Sequence, residues 1–368
     1  MPSTWRLVLV ACVFMSVPSL AWACLWDYDT LLAERSRFPT TLELITGKFL
    51  RHSPEFYEWR VKDRTRKLET DPENLELLDD LAVAYDKLGM QERAIELMER
   101  KERIKPGLYE TAANHGTFLA HAGKLEESLP FLKRAIEINP AAHFGREKYQ
   151  IYLIEFALEK PVDQSFWQFL GTRNEADTDE QRQAAIKGVL GIIRFGNHDN
   201  PRVLEALASL LTSYEPESRS PDAKALAARA YLKASYLTKD DTKMSSKLRD
   251  LATRTLDLQA TTTFTKLEAE FQSELAEADA WYRDLQQREL TWIAAGTDVD
   301  AEFARLYQQE PRSLAKELEP HAAHATAQRD PFARILVILS IVLFFGFVAF
   351  VATIYAASRW LSGKRILG

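Results

Sequence analysis

The strongest constraint on this chain is a pattern inside Leu75–Pro140 that occurs twice, 34 residues apart. The first copy runs Leu78-x2-Leu81-Ala82-x2-Tyr85, then Gly89, Ala94, Met98 and Pro106. Gly89 recurs as Gly123, Pro106 as Pro140, Ala82 as Gly116 and Met98 as Leu132, and one step back from Pro106 lies Pro72. Apolar residues three and four apart define a helix that buries one face. A small residue at Ala82 or Gly116 lets a second helix approach closely. Gly89 and Gly123 suit a sharp turn that needs positive φ. Pro106 and Pro140 end the second helix, because proline has no N–H for the helical ladder. The second copy is looser, with Leu119 in the tyrosine place, Ser128 in the second alanine place and Ala112 in the early apolar place.

Period, punctuation and tandem order together resemble the tetratricopeptide-repeat family. The resemblance implies an all-α fold: a tetratricopeptide-like solenoid of helical hairpins over residues 55–172. A helix over Glu55–Thr70, opened by Ser53 as N-cap and Pro54 at the first position, would precede the two clear copies. Arg146–Leu158, with Tyr149, Tyr152, Leu153 and Phe156 at helical spacing, would start a third unit whose second helix is interrupted by Pro161. Residues 24–54, rich in Trp26, Tyr28, Leu31, Phe38 and Phe49, read as a folded N-terminal cap.

A further helical block is expected over 180–330, after the polar stretch Asn174–Asp179. Ile186, Val189, Leu190 and Ile193 form one apolar stripe. Asn200-Pro201 and Ser220-Pro221-Asp222 are helix starts, and Met244–Leu258 pairs with the second of them. In Phe264–Leu290 the residues Phe264, Phe271, Ala278 and Leu285 recur every seven positions. Ordinary core packing explains that spacing, and a short coiled-coil homodimer contact is the sharper alternative.

The two ends speak for location. Met1–Ala23 carries Arg6, an apolar run and Ala21-Trp22-Ala23, the pattern of a cleaved secretory signal. Cys24 would then be the first mature residue and the one remaining cysteine, leaving no intrachain disulfide. The bulk of Trp22 departs from a lipidation signal. Ile335–Ala357 has no charged residue. At about 1.5 Å per residue it extends roughly 35 Å, enough for a transmembrane helix. Arg359, Lys364 and Arg365 follow, so residues 358–368 form a cytoplasmic basic tail under the positive-inside rule. Both signals place the body outside the cytoplasm, on the periplasmic side of a bacterial-type envelope.

The chain holds 47 basic and 53 acidic residues, a net charge of −6. The basic residues of both ends lie outside the body, which is therefore more acidic still and unlike a nucleic-acid binder. None of the phosphate-binding glycine loops, nucleophile elbows, Cys-x-x-Cys pairs or His-Glu-x-x-His motifs is present, so neither a catalytic constellation nor a cofactor or metal site is expected. His321 and His324 sit three apart in a juxtamembrane linker, too few for a metal site. Glu126-Glu127 and Asp240-Asp241 read as solvated surface. His115 occupies a core place.

In resembling proteins the first helix of each pair lines a concave face that holds a partner segment. Carried onto this chain, the facing residues are Glu76, Asp79, Asp80, Val83, Asp86 and Lys87 in the first copy. Glu110, Ala113, Asn114, Thr117 and His121 follow in the second, and Phe144, Glu147, Lys148, Ile151 and Glu155 in the third. The first-copy acids speak for a basic or neutral partner and against capture of an acidic C-terminus. The expected function is a non-enzymatic protein–protein interaction scaffold on a membrane. An accessory or assembly subunit of a membrane enzyme, or a holder of an exported client, is the alternative.

Overall fold

The structure, a computed structural model, describes residues 25–34, 36–140, 142–159, 164–213, 221–256 and 261–310. The chain separates into two units, Met1–Arg312 and Ser313–Gly368, and every described residue belongs to the first. The predicted signal, Cys24, His321, His324, the span Ile335–Ala357 and the basic tail all lie outside the described residues. Among the described residues no helix is long and apolar enough to cross a membrane.

The described chain is all-helical, without a strand. Two short helices come first, α1 (Tyr28–Glu34) and α2 (Thr41–Thr46). Antiparallel neighbours follow: α3 (Pro54–Thr70), α4 (Leu75–Lys87), α5 (Gln91–Ile104), α6 (Tyr109–His121) and α7 (Leu125–Ile138). A 3-10 turn, Ala142–Gly145, leads to α8 (Arg146–Glu159) and the short α9 (Phe166–Gly171). Then come α10 (Asp179–Phe195), α11 (Pro201–Thr212), α12 (Pro221–Leu237) and α13 (Thr242–Thr255). The long α14 (Thr261–Ala295) and α15 (Val299–Gln309) close the unit. From α3 to α8 each helix packs on the next; α8 packs mainly on α10, and the sequence-adjacent order resumes through α13.

Helix starts follow local chemistry. The side chains of Ser53, Asn74, Thr178 and Asn200 accept backbone N–H groups in the first turns of α3, α4, α10 and α11, satisfying donors that the helix itself leaves unpaired. The two α4–α5 and α6–α7 corners match each other. Gly89 has φ +76 and Gly123 φ +78. Met90 N–H donates to the Tyr85 carbonyl at 2.8 Å, and 34 residues later Lys124 N–H donates to that of Leu119 at 2.9 Å. At Gly116 a Cβ would stand 2.7 Å from Leu132 Cγ, so α6 and α7 touch there only because the side chain is missing. Ala94, Met98, Ser128 and Leu132 are all fully buried between the pairs.

The 35-residue α14 is about 52 Å long. It packs on α12, α2 and α3 and returns through α15 to α1, bridging the two ends of the helix series. Its heptad stripe is turned inward: Phe264, Phe271, Ala278 and Leu285 are all buried within the chain. The homodimer contact suggested by that spacing would have to use a different face. The third predicted unit differs from the first two, because α9 has six residues and α10 supplies the packing partner of α8.

Candidate functional site

The residues expected to face a partner lie mainly on α4 and α6. On α4, Asp79, Asp80, Val83 and Asp86 are buried, Lys87 is half-buried and Glu76 is exposed. Every residue from Thr111 to His121 is buried. Alanine and glycine dominate the apolar part of α6, and such small side chains allow neighbours on all sides. Glu110 of the second copy is half-buried; in the third unit Glu147 and Ile151 are buried, while Lys148 and Glu155 are half-buried. Phe144 belongs to the 3-10 turn, and its side chain lies outside the described residues.

The face is occupied by the chain itself. Leu25, 2% exposed, packs with Ala82, Val83, Phe118 and Leu119. The Asn114 amide brackets Trp26: Trp26 N–H donates to Oδ1 at 2.8 Å, and Nδ2 donates to the Trp26 carbonyl at 3.0 Å. The indole meets Tyr109 and His143 edge-on. Tyr28 N–H donates to Asp80 Oδ1 at 3.1 Å. Asp27 accepts from Thr30 N–H at 2.9 Å, which fixes the first turn of α1. Leu25, Trp26 and Tyr28 therefore lie against α4 and α6, where the family resemblance places a partner segment.

The buried groove charges are engaged within the chain. Lys101 binds Asp79. Arg64 donates to Asp80 at 2.9 Å, to Asp63 at 2.5 Å and to Asp300 at 2.6 Å. His121 Nδ1 lies 2.7 and 2.8 Å from the two oxygens of Asp86. Tyr109 OH donates to Glu147 at 2.5 Å, and Gln150 to Thr117 at 3.2 Å. The Lys87 ammonium donates to the carbonyls of Phe195 at 3.0 Å and Gly196 at 2.7 Å. Burial raises Asp79 to about 7 against the pull of Lys101. A partner segment would therefore meet Asp79, Asp80 and Asp86 already engaged, which the spacing on α4 alone does not reveal.

A second set of residues was not anticipated from sequence. Arg60 on α3 is fully buried and holds three elements together. Its guanidinium binds Asp29 of α1, lies 3.4 Å from Asp27, and donates to Asp300 in the first turn of α15 at 2.7 Å. His52 continues the network, with Nδ1 2.6 Å from Glu289 and Nε2 3.1 Å from Asp29. Glu289, fully buried on α14, also accepts from Ser53 N–H at 2.8 Å. Burial alone would lower the imidazolium; Asp29 and Glu289 outweigh it and raise His52 to about 9. Burial would likewise raise Asp29, but Arg60 and His52 hold it far below the ordinary range. Asp27 is raised to about 6, by burial and then by the charge of Asp29. The sequence carries one trace of this network: Arg60 and Arg64, one turn apart, share a face of α3.

Between the seated segment, the ends of α4 and α6, the α10–α11 turn and α14–α15 lies a cavity of about 380 Å³. Val83, Asp86, Lys87 and His121 among the predicted groove residues border it. Arg51, His52, Arg194, His198, Tyr282 and Tyr307, from elements far apart in sequence, complete its wall. Among the described residues no group of three or more His, Cys, Asp or Glu is placed to hold a metal ion. Neither a protein-family model nor a curated protein matches the chain.

Proposed function

We propose that this chain is a non-enzymatic docking scaffold of tetratricopeptide-like helical hairpins. Residues 335–357 tether it to a membrane, and its body stands outside the cytoplasm. The observation that carries the reading is the grip of Asn114 on the Trp26 backbone. One amide satisfying both polar groups of a non-helical residue is a sequence-independent way to hold a peptide, and it sits on the inner face of the first helices. The 34-residue recurrence of turn geometry at Gly89 and Gly123 supports the family resemblance. With the middle of the face filled in cis, the accessible part of the face includes Glu76 and Glu110. Anchoring would raise the local concentration of whatever docks there.

Site-directed photo-cross-linking in native membranes tests this. A cross-linker at Glu76 or Glu110 should capture a defined partner, while one at Glu99 or Arg134, exposed on the second helices, should not. Equal labelling from both faces, or none from either, would reject the docking role. Protease applied from outside should digest the body and spare the last eleven residues; the reverse pattern would reject that orientation.

A further inference from the structure

The cavity beside the seated segment is unevenly matched in charge. Three carboxylates line it, and all are engaged: Asp27 and Asp29 with Arg60, and Asp86 with His121. Four cations line it as well: His52, which is paired with Asp29 and Glu289, and Arg51, Lys87 and Arg194. Among the described residues the last three are each held by neutral groups. Lys87 has the carbonyls of Phe195 and Gly196. Arg51 donates to the Gly47 carbonyl and lies 3.5 Å over the Tyr282 ring. Arg194 Nη2 donates to the carbonyls of Ala33 at 2.8 Å and Arg37 at 3.0 Å, and to the Ser36 hydroxyl at 3.1 Å.

Carbonyls and rings fix the position of a cation without cancelling its charge. A guanidinium offers five N–H donors. Among the described residues Arg51 donates through Nη1 and Arg194 through Nη2 alone, which leaves guanidinium donors for a ligand. Positive charge gathers further around His198 on the same wall. Burial, and then Lys233, hold its imidazole neutral, with Arg51 and Lys87 acting in the same direction. Asp199, the acid beside it, is bound to Lys233 at 2.5 Å. Burial also pushes Arg194 down to about 10, against the pull of Tyr307, Glu310 and Glu34. Val83, Ile193, Tyr57, Tyr282 and Tyr307 add apolar and aromatic wall. The volume falls within the range of small-ligand sites.

We propose that this cavity binds a small anion carrying a phosphate or carboxylate group, with Arg51, Lys87 and Arg194 as its counter-charges. A metal cation or a basic ligand would meet repulsion there. The site is independent of the docking role and stands or falls separately. Its ligand would join the N-terminal segment to α2, α4 and the α10–α11 turn, so binding should also stabilise the fold.

The test is calorimetric titration and thermal unfolding of the full chain with inorganic phosphate, pyrophosphate and succinate, each against sodium chloride at matched ionic strength. At least one anion should bind saturably and raise Tm beyond the chloride control. Arg51→Gln and Arg194→Gln should each weaken binding tenfold or more, whereas Arg134→Gln, on the outer surface, should leave it unchanged. If Arg194→Gln fails to fold, Arg51→Lys and Lys87→Gln carry the comparison. Phosphates against succinate tells which head group is preferred. No anion acting beyond chloride, or unchanged affinity in the cavity variants, would overturn the proposal.

Discussion

Arg60→Met offers the sharpest test of how the unit is held together. The substitution keeps an unbranched stem beside Phe56, over which the guanidinium now lies at 4.4 Å, and removes only the charge and its donors. Asp300 retains Arg64 and Asp29 retains His52, so Asp27 loses most. Removing one partner of a buried ion cluster typically costs about 3–5 kcal/mol, because the remaining charge stays buried. The lower part of that range is expected here, since two of the three acids keep a cation. Asp27, already raised to about 6, should rise further in the variant. A group whose folded pKa is raised contributes stability below its unfolded value and loses it as pH climbs through the folded value. The deficit should therefore be about 3 kcal/mol at pH 8 and clearly smaller at pH 5. Thermal unfolding of wild type, Arg60→Met and the double variant with Asp27→Asn, at both pH values, measures it. The double variant should recover part of the loss at pH 8. An equal deficit at both pH values, or no recovery, would mean that packing and not charge fixes this joint.

The imidazolium of His52 should give the wild type a stability limb that is full below pH 6.5 and lost as pH rises to about 9. At roughly 1.4 kcal/mol per unit the ceiling is about 3 kcal/mol, and His52→Gln should flatten the limb in chemical unfolding followed against pH. Asn114→Leu should cost about 1–3 kcal/mol by leaving the Trp26 backbone unpaired; faster hydrogen exchange confined to residues near 26 would identify the cause. Met98→Ala, at a fully buried position, should cost about 2–5 kcal/mol in equilibrium unfolding. Gly123→Ala should cost about 1 kcal/mol through the positive φ alone, since nothing lies within 4 Å of its Cβ direction.

What the sequence determined by itself was local. Turn residues, caps and apolar spacing are written in neighbouring positions, so the helix pairs at Leu75–Pro140, the starts at Ser53-Pro54 and Asn200-Pro201 and the long helix through Phe264–Leu290 were legible. What packs against α4 and α6 was not. Leu25 and Trp26 reach α6 across about ninety residues of chain, and Asp300 reaches Arg60 across 240; no periodicity records such a meeting. The same holds for Gly188, where a Cβ would stand 2.1 Å from the Tyr149 ring, so its small size is explained only once α10 lies on α8. Helical period places a carboxylate on a face, but whether Asp79 or Asp86 attracts a partner depends on which cation the fold brings beside it. Tertiary structure made that decision, because burial charges heavily for an unpaired ion and rewards a close one.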